Sequence, residues 1–181
     1  MKENPVSDVL LRLKASDTDK GPFMEAYGDI YEHSPWVAED AWAARNGKNL
    51  DTASGLHSAM AAAMTATNEA SQMSLICAHP DLAGKLAVAG KLTEASKSEQ
   101  AGAGLDHCTE DEFREFQSLN NAYKEKFGFP FIIAVKGHDR HSILAAFRAR
   151  INNDPETEFH TALEQINHIA FFRLMALVET L

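Results

Sequence analysis

Apolar residues recur at helical spacing along most of the chain, and polar or turn-forming residues break the pattern at short intervals. Ser7 stands where it can cap a short first helix through Leu13, and KASDTDKGP, from Lys14 to Pro22, reads as a loop. Ser34 as cap and Pro35 at the first helical position open a helix that runs toward Arg45 and stops at Asn46-Gly47. Asp51 is the expected cap of an Ala- and Met-rich helix through Ala66. Asn68 caps another, which reaches Ala78 before Pro80 closes it.

From Leu82 to Gly104 the pattern changes. Gly84, Gly90, Gly102 and Gly104 sit among small and polar residues, which predicts a loop with a short helical turn near Ser96. Thr109 then opens a capping box with Glu112, and Phe113, Phe116, Leu119, Asn120, Tyr123 and Phe127 follow at helical spacing up to Gly128. FPFIIAVKG, Phe129 to Gly137, is strand-like but has no partner run elsewhere. It is expected to pack as an extended stretch between helices. Asp139 caps a helix through Ile151, and Asp154-Pro155-Glu156 starts a final helix to about Glu179. With no long repeat and no linker, the pattern predicts an all-α, single-domain helical bundle over residues 1–181, with one extended segment near 129–135.

Length and charge narrow the function. A chain of 181 residues, 45% hydrophobic and 24% charged, can bury a sizeable core. The net charge of −9 argues against nucleic-acid binding, but a local Arg or Lys can still receive a small anion. Cys77 and Cys108 fit no CxxC pattern; both are expected as reduced thiols in a cytoplasmic protein, with Cys77 buried. MKENPVSDVL lacks the apolar run of a signal peptide, and no apolar stretch approaches membrane-spanning length.

Two apparent motifs fail on chemistry. GKLAVAGKL resembles a phosphate loop, but its spacer between Gly84 and Gly90 is one residue too long and Leu92 stands where the magnesium-binding Ser or Thr would be. His138 and His141 lie three apart without the further ligands of a zinc site, so no metal is expected. His79 is more informative. It ends an apolar helix in LICAHPDLAGKL, where Pro80 would fix the direction of its ring; it is either a helix cap or a general acid–base. Glu99 in SKSEQ could orient and activate that imidazole, or form a capping box with Ser96. Arg173, in the apolar run IAFFRLMAL, requires an anion: either an internal acid or a ligand's carboxylate or ureido oxygen. The main chain from Phe131 to Val135 could read a planar polar ligand, or be plain core.

AHPDLAGKLA, SKSEQAGAG and YKEKFGFPFIIAVKG, in this order and spacing, resemble the OHCU decarboxylase family of the ureide pathway. GDIYEHSPWVAEDAW, RARINNDPETE and the final FRLMAL helix extend the resemblance over nearly the whole chain. It implies an all-α homodimer with no metal or organic cofactor. The implied reaction turns a small molecule, 2-oxo-4-hydroxy-4-carboxy-5-ureidoimidazoline, into (S)-allantoin. Carried over residue by residue, His79 and Glu99 are the implied catalytic pair. Pro80, Ser96, Lys97, Ser98, Gln100, Phe131, Ile132, Ile133, Ala134, Val135 and Arg173 are the implied substrate-binding residues. Two other classes remain open: a ligand-binding protein that keeps the pocket without turnover, and a helical interaction protein with Trp36, Trp42 and Phe171 on a partner surface.

Overall fold

The structure is a computed structural model that describes residues 9–83 and 92–178. Among these residues it has eight α-helices, two short 3-10 turns and no β-strand, as the periodicity predicts. The helices are α1 (Lys20–Tyr27), α2 (Trp36–Ala43), α3 (Ala53–Ala66), α4 (Glu69–Cys77), α5 (Glu94–Gly102), α6 (Glu110–Phe127), α7 (Arg140–Arg150) and α8 (Pro155–Met175). The chain forms two compact units. One is Met1–Leu75 with Ala170–Leu181, and the other is Ile76–Ile169.

In the first unit, α2 packs on α1 and α3. Phe23 and Trp42 pack ring against ring at 4.7 Å, with Tyr27 5.0 Å from Phe23. Trp42 is therefore core, which removes it from the partner surface considered above. Buried Val37, Ala41, Leu56 and Met60 complete the apolar faces of α2 and α3. Gly55 is required on α3, because a Cβ there would stand 1.7 Å from the Asn49 carbonyl oxygen. Several local expectations are corrected. The stretch from Lys14 contains a 3-10 turn at Ala15–Asp17 and the start of α1, so it is not all loop. The cap of α3 is Thr52, whose hydroxyl accepts from the Gly55 N–H, while Asp51 accepts from the Ser16 N–H at 2.9 Å. The expected helix from Ser7 to Leu13 begins outside the described residues, and its described part, 9–13, is not helical: Leu10 and Leu11 form isolated bridges to Thr52 and Val178.

In the second unit, α6 supplies the amphipathic frame. Its Thr109–Glu112 capping box forms as the sequence predicts, and Gly128 ends it in the left-handed region at φ 80°. Phe116, Tyr123 and Phe127 point inward. Tyr123 lies 5.3 Å from Phe131 and 5.6 Å from Phe147, and the last two stack at 3.9 Å. The segment after Gly128 is extended and unpaired by any strand among the described residues, yet buried from Phe129 to Val135. Pro130 lacks an N–H, and side chains take up polar groups that a sheet would otherwise satisfy. Arg150 donates to the Ile132 carbonyl at 2.7 Å, and the Ala134 N–H donates to Gln165 at 2.9 Å.

Candidate active site

Helix α4 delivers His79. The Asn68 carboxamide caps it by accepting from the Ser71 N–H at 2.9 Å, and the His79 N–H closes its far end on the Ile76 carbonyl at 3.1 Å. His79 is 8% exposed, so its imidazole is held inside the protein and does not cap a helix in solvent. Cys77, by contrast, is exposed: α4 ends with that position turned outward, against the expectation that it is core.

The residues after Pro80 are gripped one by one. Asp81 pairs with Lys124 at 2.6 Å. The Leu82 carbonyl accepts from Asn120 Nδ2 at 2.9 Å. Ala83 donates its N–H to Gln100 Oε1 at 3.1 Å and accepts from Gln117 Nε2 at 2.9 Å. Ala83 has φ 47°, a left-handed backbone that costs a residue with a Cβ about 1–2 kcal/mol. A turn held in that conformation implies surroundings that over-determine it.

Helix α5 carries the second group of candidates. It is a full helix where the sequence predicts a turn, and Thr93 caps it: its hydroxyl accepts from the Ser96 N–H at 3.2 Å. Ser96 is thus one turn inside α5 and does not form its capping box. Ser96 and Gln100, four apart, share a buried face; Glu99 is half-buried beside them, and Lys97 and Ser98 are exposed. A pocket of about 530 Å³ borders this helix, lined among others by Ala83, Lys97, Gln100, Leu105 and Cys108. His79 and Glu99 do not line it. Burial pushes the Cys108 thiol up from its ordinary value, with the charge of Glu112 adding to the effect.

The extended segment offers less main chain than its sequence suggests. Phe131 to Val135 are all buried, and the Ile132 carbonyl, Ala134 N–H and Val135 carbonyl are engaged within the protein. Arg173 belongs to the other unit. Its Nη1 lies 2.9 Å from Glu32 Oε2 and donates to the Ile30 carbonyl at 3.3 Å, with both charged side chains nearly solvent-free. The required anion is thus supplied by the protein's own acid. Among the described residues no cluster of three or more His, Cys, Asp or Glu is placed to hold a metal, and no helix is long and apolar enough to cross a membrane.

Comparison with known proteins decides the relationship. The family pattern described as OHCU decarboxylase matches residues 16–175. The 2-oxo-4-hydroxy-4-carboxy-5-ureidoimidazoline decarboxylase of Haloferax volcanii is 42% identical, over 86% of this chain and 89% of its own. The chain belongs to the OHCU decarboxylase family. A solved (S)-allantoin synthase matches with a TM-score of 0.71 and 33% identity over 93% of this chain, which spans 54% of that longer one. An OHCU decarboxylase solved in the presence of (S)-allantoin shares the fold at a TM-score of 0.65 and 22% identity, over 82% of this chain and 94% of its own.

In this member of the family, sequence reasoning missed the residues that hold the candidates in place. Asn120 had a readable signal: a carboxamide at a core position between Phe116 and Tyr123 of an amphipathic helix. Gln117, Gln165, Arg150 and Glu32 had none, because a polar residue on a helix normally faces water. Arg150 and Glu158 form a buried pair that also takes in the Tyr123 hydroxyl, and Asn153 donates to Glu158 at 2.8 Å.

Proposed function

We propose that this chain converts 2-oxo-4-hydroxy-4-carboxy-5-ureidoimidazoline to (S)-allantoin, with His79 and Glu99 as its acid–base pair. The chain is a carboxy-lyase, and its reaction ends urate oxidation in purine catabolism. Family membership over most of the chain supports the substrate class. The observation that carries the catalytic reading is a buried His79 imidazole on a turn in which the three residues after Pro80 are each tethered.

The chemistry follows from the substrate's own bonds. The bond from ring carbon to carboxylate breaks and CO2 leaves. The freed pair forms a double bond to the neighbouring carbon, which carries the ureido group. The C=N bond of that neighbour opens toward nitrogen, which takes one proton. The ring hydroxyl then loses its proton and becomes a carbonyl, and the double-bond pair takes a proton at the ureido-bearing carbon. One proton is consumed overall, and the electron sink is the substrate's C=N bond. No metal or organic cofactor is needed to accept the electrons.

The protein supplies placement and proton transfer. His79 accepts the hydroxyl proton and returns a proton to carbon from one side, and Glu99 keeps its ring oriented and basic. Pro80, Ser96, Lys97, Ser98, Gln100 and the main chain of Phe131 to Val135 bind the ring and the ureido group. Arg173 contributes to substrate affinity with Glu32 holding its guanidinium. We further propose that the enzyme is a cytoplasmic homodimer, for which sedimentation at twice the chain mass is the check.

The decisive experiment generates the unstable substrate in place from urate with the two upstream enzymes and follows product circular dichroism. Rapid appearance of one allantoin enantiomer is expected. His79→Ala is expected to lower the rate roughly 10²–10⁴-fold while the helical spectrum persists. Racemic product at the uncatalysed rate from folded wild-type protein would overturn the catalytic reading.

A further inference from the structure

The grip on the turn after His79 comes largely from one face of one helix. Gln117, Asn120 and Lys124 lie three and four residues apart on α6, so they form a row along it. They hold Ala83, Leu82 and Asp81 in reverse order, at 2.9, 2.9 and 2.6 Å. Gln100 adds a bond to the Ala83 N–H from α5. Upstream, His79 is fixed by its own N–H on Ile76. The histidine backbone is therefore secured on both sides, with only Pro80, whose φ is locked, between it and the tethered residues.

Asn120 is the telling member of the row. It is 2% exposed, and its Oδ1 is buried without a hydrogen-bond partner. Such an orphan acceptor lowers stability, and an apolar side chain of similar size would not incur that cost. What Asn120 does supply is the Nδ2 bond to the Leu82 carbonyl, which defines where the turn sits.

We infer that Asn120 and Gln117 are positioning residues for His79, setting the imidazole's place through the Asp81–Ala83 turn. The inference rests on the catalytic role given to His79 above for its effect on turnover, but not for its effect on the ring itself.

The test uses the full chain labelled with ¹⁵N-histidine, the His79 ring signals being those lost in His79→Gln. Asn120→Leu and Gln117→Leu are compared with Arg114→Met, a control on α6 whose exposed side chain, among the described residues, pairs with Glu110 and Asp111. In both test variants the His79 signals should move while the other seven histidines hold. The rate kcat should fall about 10- to 100-fold with KM little changed, as expected for a displaced catalytic group. The melting temperature of Gln117→Leu should stay near wild type, which separates positioning from a loss of fold. Gln117 is only half-buried, so its variant carries the test if Asn120→Leu does not fold. Unmoved His79 signals in folded Gln117→Leu, or moved signals with wild-type kcat, overturn the inference. If the wild-type protein makes no allantoin, the catalytic reading fails, and the ring signals alone then decide the positioning.

Discussion

At the scale of single residues, burial sets what each charge must do. Arg173 lies in an apolar stretch, so the need for an anionic partner was legible from its neighbours. The identity of that partner was not, because Glu32 is far away in the chain and its own neighbours look like a surface turn. The structure joins them at 2.9 Å with side chains 8% and 2% exposed. Breaking a pair that deep leaves one charge without compensation, at a cost of about 3–5 kcal/mol. Glu32→Gln should therefore lower the unfolding free energy by about that amount in urea titration. Glu32→Leu combined with Arg173→Met should recover much of it, since no charge is then stranded. If Glu32→Gln unfolds like wild type, the pair is not the fixed unit described here. The same reasoning separates His79 from the remaining histidines with known burial. Sequence could only offer it as cap or catalyst, and its burial removes the solvent-exposed cap reading.

Helix starts were legible at most sites with one capping candidate, but not at α2, where Pro35 and not Ser34 is the N-cap and no side chain caps the helix. Asn68, Thr109, Asp139 and Asp154 each cap the helix the sequence assigned to them. The other errors fell where two candidates competed: Thr52 caps α3 beside Asp51, and Thr93 caps α5 three residues before Ser96. At α3 the outcome turned on a tertiary contact, since the Asp51 carboxylate is taken up by the Ser16 N–H. Thr93→Ala should cost about 1 kcal/mol and show as faster amide exchange through α5, with the caps of α6 and α7 unaffected. A uniform loss of protection over all three helices would contradict a local cap. The carboxylates at helix starts also contribute to stability against acid. Glu112, Asp139 and Asp154 are each held below the ordinary carboxylate range. Glu112 accepts from the Thr109 N–H, Asp139 from the Ser142 N–H, and Asp154 chiefly from the Thr157 hydroxyl. A depressed folded-state value means these groups stabilise above the unfolded pKa, near ~4, and that contribution disappears as pH falls through the folded values. The melting temperature should thus drop below about pH 4. Glu112→Gln, Asp139→Asn and Asp154→Asn together should flatten that drop; an unchanged acid limb would assign it to other carboxylates.

For the whole molecule, the all-α class was legible because the 3.6-residue period dominates and the one strand-like run has no partner. The tertiary tethers were not legible. Asn120 to Leu82 and Arg150 to Ile132 are bonds between a side chain and a distant main-chain group, and such bonds leave no periodic trace. Domain organisation is where the reading of one domain can be tested against the two compact units. Helices α4 and α8 each run across the division, between Leu75 and Ile76 and between Ile169 and Ala170. Helix formation is cooperative, so unfolding either unit would fray a helix that the other also uses. This favours a single unfolding transition. Both tryptophans, Trp36 and Trp42, lie in the first unit, so their fluorescence reports on it alone, whereas far-UV dichroism reports on helices of both. Urea unfolding curves from the two probes should coincide, with one midpoint and one slope. A dichroism curve in two steps, with fluorescence following only one, would make the units separate domains. His79 and Arg173 would then belong to independently folding parts.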